Sequence, residues 1–225
     1  MKIVFSIGGS ILAPDRVDED YAGKLSNLLI QLSQGNQVVA VVGGGRPARR
    51  AIEKARDKGA SWAECDHAGI LATRENAKAL IQKLEGKSNR RIPESIHEAA
   101  ESYKGGILVM GGTEPGHSTD AVAALLAEWL KADLLVNASN VDAVYDKNPK
   151  EHSDAKPYKE IPIKELMGIL WNCSMEAGKY PLLDLTSARI IERSRIRTII
   201  LDGRDLKNLR NAIEGRPYKG TTVTF

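Results

Sequence analysis

The sequence predicts an α/β protein with a mostly parallel sheet that is covered by helices on both faces. Short apolar stretches alternate along the chain with segments whose apolar residues recur at helical spacing. Glycine turns follow three of the apolar stretches, at Gly8-Gly9, Gly43-Gly44-Gly45 and Gly111-Gly112. Repeated strand–helix units of this kind pair their strands in parallel and place helices on both sides of the sheet.

Strands and helices are distinguished by the spacing of their apolar residues. The predicted strands are apolar at successive positions, which is typical of parallel strands buried on both faces. They are residues 2–5, 37–42, 107–110, 134–138 and 198–201, with 220–225 as a final edge strand. The predicted helices are residues 18–33, 46–58, 67–84, 163–171 and 185–194, together with one that follows Asp120 and ends near residue 131.

Composition excludes several classes of protein. The 225 residues suffice for one large domain or two fused lobes, and 42% of them are hydrophobic and 27% charged. A net charge of +3 with dispersed basic residues gives no reason to expect nucleic-acid binding. No apolar run approaches the ~20 residues of a membrane helix, and no signal peptide precedes the first strand. Cys65 and Cys173 lack metal-ligand spacing, so we expect two reduced thiols in a cytoplasmic protein.

The glycine turns indicate a site that holds phosphates, because they lie at the carboxyl ends of predicted strands, where such sheets bind ligands. Gly8-Gly9-Ser10 fits an ordinary turn and a phosphate turn equally well, with Ser10 as a hydroxyl donor in the second case. Gly43-Gly44-Gly45 is a stronger signal, since a simple turn requires one glycine. Arg49 stands about one turn into the next helix, where it either reaches a phosphate or is a solvated surface residue.

The segment from Thr113 to Asp120 has the composition of a ligand loop. It joins an apolar strand to an amphipathic helix and leaves backbone N–H groups free at the helix start, where the helix dipole favours an anion. The alternative is a plain capped helix start, with Ser118 or Thr119 as the cap. The length of the segment favours the ligand loop. His117 is expected to be a hydrogen-bonding loop residue rather than a metal ligand.

Two other polar positions allow both a structural and a functional interpretation. Asp66 stands just before a predicted helix, so an N-cap is favoured over a hydrogen bond to a ribose diol. Residues 140–149 are rich in turn-forming Asn and Asp and fit a surface loop, unless Tyr145 lies against a purine ring. The sequence has no nucleophile elbow, Walker A or HExxH motif, which leaves direct phosphoryl transfer in a cradle of amides and cations.

Taken together, these segments resemble the amino acid kinase superfamily and, within it, the archaeal-type uridylate (UMP) kinases. The most specific match is GGTxPGHxTDAVAALLAE at residues 111–128, followed by Asn140-Val141-Asp142 with Tyr145. The resemblance runs nearly end to end and implies a three-layer α/β/α domain over residues 1–225, commonly assembled as a homohexamer. It also implies transfer of a phosphoryl group from ATP, which enters with Mg²⁺, to UMP. The acceptor part would be residues 1–130 and the ATP part residues 131–225.

The resemblance assigns roles to individual residues, in three groups. The residues expected at the ATP phosphates are Gly9, Ser10, Gly45 and Arg49, of which Arg49, Gly9 and Ser10 form the catalytic group. Those expected along the nucleotide of ATP are Ser139, Asn140, Tyr145 and Asn148. Those expected at UMP are Gly44, Asp66, Glu114, Pro115, Gly116, His117, Ser118, Thr119 and Asp120, with Gly44 and Thr119 near its phosphate and Asp66 at its ribose.

The chain departs from the family pattern at four positions: Ser6, Ser139, Ala143 and Asn148. Many relatives have lysine at Ser6, and Arg46, Arg49 and Mg²⁺ are candidates to replace its charge. Ala143 stands in place of a glycine, at a cost of about 1 kcal/mol if the position needs positive φ. Ser139 and Asn148 replace Thr and Asp, and the second change removes a carboxylate from the ATP side. Two alternatives stay open: a kinase of this fold acting on a carboxylate, carbamate or isoprenoid phosphate, and a non-catalytic nucleotide sensor.

Overall fold

A seven-stranded sheet forms the centre of the computed structural model, which describes residues 1–149, 151–174 and 183–225. The strands are β1 (Lys2–Ile7), β2 (Gln37–Val42), β3 (Ile107–Met110), β4 (Leu134–Ser139), β5 (Glu160–Pro162), β6 (Thr198–Asp202) and β7 (Thr221–Thr224). They lie in the order β3-β2-β1-β4-β6-β7-β5, and every neighbouring pair is parallel except β6 with β7. The predicted, mostly parallel sheet is confirmed.

Helices cover both faces of this sheet. They are α1 (Gly9–Leu12), α2 (Glu19–Ser33), α3 (Gly45–Asp57), α4 (Trp62–Lys83), α5 (Ile96–Ser102), α6 (Thr119–Trp129), α7 (Ile163–Ser174), α8 (Leu185–Ser194) and α9 (Leu206–Ile213). Helices α2, α4 and α9 pack on one face, and α5, α6, α7 and α8 pack on the other. Helix α3 packs along α4. The result is the expected three-layer arrangement.

Alternate side chains of the central strands enter two separate cores. On β1, Ile3, Phe5 and Ile7 contribute to the core under α2 and α4, whereas Val4 contributes to the core under α6. Burial on both faces explains why the strands read as continuous apolar runs. Ser6 and Asn137 are polar exceptions on the α6 face, where they are neighbours in register and 2% exposed.

The prediction for the last strand is wrong in its position. Strand β7 is not at the edge of the sheet, because β5 pairs with it in parallel and takes the edge instead. Pro162 ends β5, and a proline cannot donate to a further ladder, so this short strand suits an edge. The sequence analysis missed β5, α1 and α5, which are too short for a clear apolar period. It also missed α9, although Leu206, Leu209 and Ile213 stand at helical spacing.

The sequence predicted a helix that begins at residue 67, but helix α4 begins at Trp62. Ser61 accepts a hydrogen bond from the backbone of Glu64, and the Glu64 side chain accepts one from the backbone of Ser61. This reciprocal capping box starts the helix, although Trp62 is 76% exposed and adds little to the apolar pattern. The longer helix reaches the site described below.

The structure bears on the predictions for the two cysteines and for a membrane helix. Cys65 is a buried free thiol, as expected. The side chain of Cys173 lies outside the described residues. Across the ranges that the structure describes, no helix combines the length and the hydropathy needed to cross a membrane.

Candidate functional site

A cleft of about 420 Å³ opens at the carboxyl ends of β2 and β3, between α3, α4 and the segment that precedes α6. Six of the residues that the resemblance assigns to UMP line this cleft: Gly44, Asp66, Gly116, His117, Ser118 and Thr119. Glu114 and Pro115 lie exposed in the same segment. The fold thus brings positions from three distant parts of the sequence to one surface.

The turns after β1 and β2 pack against each other without room for side chains. A Cβ on Gly9 would lie 2.0 Å from the backbone nitrogen of Gly45, and one on Gly45 would lie 2.2 Å from the carbonyl oxygen of Ala13. Gly45 also has a φ of +60°, which side-chain-bearing residues rarely adopt. Ser10 follows directly in α1 and is half-buried. The two turns therefore form one continuous backbone surface. Their packing against each other is sufficient to require glycine at positions 9 and 45, whether or not a ligand binds there.

Two buried polar side chains of α4 hold the loops that follow β2 and β3. Thr73 Oγ1 accepts a hydrogen bond from the backbone N–H of Gly112 at 2.7 Å. Asn76 Nδ2 donates to the carbonyl oxygens of Gly43 and Gly44 at 2.9 and 3.1 Å. Both loops are therefore fixed to the same helix.

Arg74 extends this attachment at the rim of the cleft. Its Nε donates to the carbonyl oxygen of Gly112 at 3.1 Å, and its guanidinium pairs with Glu94 at 2.9 Å. The sequence analysis missed Thr73, Arg74 and Asn76. Thr73 and Asn76 stand on the apolar face of the predicted helix, and this pattern could have revealed them. They are 7% and 3% exposed, and buried polar side chains need hydrogen-bond partners.

Asp66 lies inside α4, so the prediction that it caps a helix is wrong. Ser61 is the cap, because the helix begins earlier than the apolar pattern indicates. The exposed Asp66 carboxylate instead accepts a hydrogen bond through Oδ2 from the backbone N–H of Gly116 at 2.9 Å. Gly116 has a φ of +81°, which turns the loop toward the cleft.

Ser118 connects the loop to two helices. It is the N-cap of α6, where its hydroxyl accepts from the N–H of Ala121 at 3.0 Å. The same hydroxyl donates to Asp184, which is itself the N-cap of α8 through the N–H of Ser187. The segment before α6 therefore has both of the properties considered from the sequence: it caps a helix, and it lines a cleft.

Asp120 belongs to a polar cluster between α6 and the sheet. Its Oδ1 accepts hydrogen bonds from Ser6 Oγ at 2.5 Å and from Asn137 Nδ2 at 2.8 Å. Burial raises the pKa of Asp120 to about 6; the bond from Ser6 opposes this rise, and the nearby Asp184 carboxylate adds to it. Ser6 therefore serves as a donor to a carboxylate, at the position for which the family resemblance implied a lysine.

The residues expected along the nucleotide of ATP follow β4. Ser139 ends that strand, Asn140 is exposed, and Tyr145 and Asn148 are half-buried. Ala143 is buried and does not have a positive φ, so the cost considered for replacing a glycine does not arise.

A group of charged residues surrounds this segment. Lys219 pairs with Asp142 at 2.7 Å, and Tyr145 donates its hydroxyl to the same carboxylate at 3.2 Å. Burial opposes ionisation of Asp142, but these two partners hold its pKa below the usual value. Arg204 pairs with Asp202 at 2.6 Å at the end of β6. The carboxyl ends of β4 and β6 thus carry paired charges of both signs.

The arginines near the start of α3 differ in whether they form ion pairs. Arg46 pairs with Asp15 at 3.4 Å, and Arg50 pairs with the same carboxylate. Arg49 is exposed and has no hydrogen bond or ion pair with the described residues. Among all the residues that the structure describes, no three His, Cys, Asp or Glu side chains are grouped so that they could hold a metal ion. Arg49 is therefore a cation available for an anionic ligand.

Comparison with known proteins identifies the family. A model described as the amino acid kinase family matches residues 1–202. The chain belongs to the amino acid kinase family. Relatives named uridylate kinase from Methanobrevibacter smithii and Methanothermobacter thermautotrophicus are 44% and 45% identical to it, over 99% of this chain and 99% of each relative. The predicted family is confirmed.

A solved structure from the same amino acid kinase family agrees with this fold over its whole length. The crystal structure of uridylate kinase from Archaeoglobus fulgidus has a TM-score of 0.89 and 40% identity, and the alignment covers 100% of both chains. The predicted fold class is therefore confirmed by a close structural relative as well as by the sheet itself.

The Asp120 cluster generates a testable prediction on stability. Because folding raises the pKa of Asp120, ionisation of this carboxylate destabilises the folded state. The destabilisation develops as pH increases from about 4 to about 6 and is complete above that range. We expect Asp120→Asn to be more stable than the wild type by on the order of 2 kcal/mol at about pH 7.5, with the difference vanishing near pH 4. Denaturant unfolding in metal-free buffer at both pH values measures this.

Asp57→Asn is the matched control, since Asp57 is exposed at the end of α3. Its stability is expected to follow the wild type at both pH values. An Asp120→Asn variant that is no more stable than the wild type at the higher pH would contradict the account of the cluster.

Proposed function

We propose that this chain is a uridylate kinase, which transfers the γ-phosphoryl group of ATP to UMP and forms ADP and UDP, a step in pyrimidine nucleotide biosynthesis. The observation that carries the proposal is the cleft at β2 and β3, where six residues of the acceptor pattern lie together. Relatives of nearly the same length that are named uridylate kinase support the choice of acceptor.

In the proposed complex UMP occupies this cleft. Its phosphate lies near Gly44 and Thr119, where the start of α6 favours an anion. Its ribose lies beside Asp66, which uses one carboxylate oxygen for Gly116 and keeps the other for a ribose hydroxyl. The same carboxylate therefore fixes the loop and recognises the ligand.

ATP lies on the other side of the two packed glycine turns. Its phosphates approach Gly9, Ser10, Gly45 and Arg49, and its nucleotide lies along the segment after β4, at Ser139, Asn140, Tyr145 and Asn148. This gives an acceptor part at about residues 1–130 and an ATP part at about 131–225 in one domain. On the resemblance alone, we also propose a cytoplasmic homohexamer.

The chemistry requires positioning and charge neutralisation more than proton transfer. A phosphate oxygen of UMP is already a nucleophile, so no general base is needed. Arg49 and the backbone N–H groups of Gly9, Gly44 and Gly45 align two anions and offset the charge that develops during transfer. Mg²⁺ bound with ATP would supply further neutralisation of the phosphates, and the oxygen atoms of Asp120 and Asn137 would be the protein groups available to hold it.

The choice of acceptor is tested by ADP release from Mg-ATP with separate candidate acceptors: UMP, CMP, dUMP, GMP, acetylglutamate, carbamate and isopentenyl phosphate. We expect strong turnover with UMP alone. Preference for any other acceptor would overturn the substrate while keeping the family. ATP binding without ADP formation from any acceptor would favour the nucleotide sensor.

The role of Arg49 is tested by Arg49→Ala. If its guanidinium stabilises charge in the transition state, kcat should fall at least ~10²-fold. Arg56→Ala is the matched control, because Arg56 is exposed on the same helix in its last turn. Its kcat should stay within about two-fold of the wild type. An Arg49→Ala enzyme with unchanged kcat would exclude this role.

A further inference from the structure

Two contacts attach the segment after β4 to the residues at the start of β7. Lys219 Nζ pairs with the Asp142 carboxylate at 2.7 Å, and the backbone N–H of Val144 donates to Thr221 Oγ1 at 2.9 Å. The contacts are two residues apart on each stretch, so the two stretches lie side by side. Tyr145, which the resemblance places along the nucleotide of ATP, follows directly in the sequence. The end of the chain therefore holds the proposed ATP segment at two points.

Thr221 is fully buried, and its hydroxyl joins two other parts of the chain. The hydroxyl accepts from the N–H of Val144 and donates to the carbonyl oxygen of Tyr158 at 2.6 Å. Thr221 is also paired in register with Ile200 of β6, through the backbone of the sheet. A valine would keep that strand pairing. The hydroxyl is therefore required by the segment after β4 rather than by the sheet.

Lys219 is fixed through its backbone and extends its side chain to the same segment. The Asn208 side chain of α9 donates to the carbonyl oxygen of Lys219 at 2.7 Å and accepts from its N–H at 2.8 Å. The Lys219 side chain is 71% exposed, and exposed ion pairs contribute little to stability. Its partner Asp142 also accepts the hydroxyl of Tyr145, which lies 3.2 Å from both carboxylate oxygens. A continuous series of contacts thus connects α9 to Tyr145.

The positive charge of Lys219 matters for a ligand that carries phosphates. Burial opposes ionisation of Asp142, but Lys219 and Tyr145 hold the pKa of this carboxyl below its usual value, so it is an anion. An anion without a cationic partner would repel a nucleoside triphosphate bound beside it. Asp202, at the end of the neighbouring strand β6, is likewise paired with Arg204 at 2.6 Å. Each carboxylate on this side of the sheet is therefore offset by a cation.

We propose that Lys219 and Thr221 are positioning residues for ATP. Lys219 orients and neutralises the Asp142 carboxylate beside Tyr145, and Thr221 fixes the backbone of the same segment at Val144. Neither residue needs to touch the nucleotide. The inference deepens the proposed function, on which it rests for the identity of the ligand at this segment.

The first test is binding of Mg-ATP without an acceptor, measured by titration calorimetry. Lys219→Met should bind ATP about five-fold more weakly than the wild type and UMP within about two-fold of it. Lys219→Arg keeps the cation and should bind ATP as the wild type does. Lys207→Met is the matched control, because Lys207 is exposed on α9, and it should bind both nucleotides as the wild type does.

The same substitution in an Asp142→Asn background separates positioning from direct contact. If Lys219 acts through the Asp142 carboxylate, Lys219→Met should change the affinity for ATP less than about two-fold in that background. A lysine that contacts the nucleotide itself would cause the full loss in both backgrounds, and that result would overturn the role assigned to Lys219.

Thr221→Val is the complementary variant, since it keeps the shape of the side chain and removes the hydroxyl. It should weaken ATP binding at least ~10-fold, because the N–H of Val144 loses its buried partner. Binding of UMP should stay within about two-fold of the wild type, since the acceptor cleft lies at β2 and β3. Thr221→Ser retains the hydroxyl and should bind ATP as the wild type does.

Unchanged affinity for ATP in both Lys219→Met and Thr221→Val would overturn the positioning role, and so would equal losses of ATP and UMP affinity. Affinity for ATP that depends on Lys219 and Thr221, in a protein that does not phosphorylate UMP, would reject the proposed function and leave the positioning role standing. Phosphorylation of UMP by a protein in which neither substitution affects ATP binding would do the reverse.

Discussion

The attachment of two loops to helix α4 is the constraint on which the site depends. Thr73 holds the loop after β3, and Asn76 holds the loop after β2. The bonds to the N–H of Gly112 and the carbonyl of Gly43 satisfy backbone groups of buried residues, so losing either side chain costs more than one ordinary hydrogen bond. A rigid helix thereby sets the distance between loops that are far apart in the sequence, and the cleft exists because of that distance.

The charges of the site follow from this arrangement. The cleft is lined by the glycine turn after β2 and by the start of α6, and α3 carries the exposed Arg49, which has no ion pair with the described residues. Backbone N–H groups, a helix start and a guanidinium all favour an anion. The polar cluster between α6 and the sheet has the opposite character, since Asp120 is a carboxylate with a raised pKa. Phosphates that approached the Asp120 cluster would add negative charge beside it, and Ser6 carries no charge to offset them.

The sequence predicted those parts of the fold that depend on residues close together in the chain. The central strands are continuous apolar runs, and Ser118, one of the two residues considered as the cap of α6, is that cap. Asp66 was misjudged because Ser61 starts the helix through a capping box that the apolar period does not reveal. Asn76 and Asn137 act through hydrogen bonds to residues that are distant in the sequence, and no spacing within a helix or strand indicates such a partner. The sequence analysis therefore missed those residues whose role depends on partners that are far away along the chain.

Binding of UMP and of ATP to Thr73→Val, each measured by titration calorimetry, tests most directly whether α4 positions the acceptor cleft. The substitution keeps the shape of the side chain and removes the hydroxyl that accepts from Gly112. The account predicts that UMP binds at least ~10-fold more weakly and ATP within about two-fold of the wild type, because only the loop after β3 loses its support. Thr73→Ser retains the hydroxyl and should bind both nucleotides as the wild type does. Unchanged UMP binding by a folded Thr73→Val protein would contradict the account.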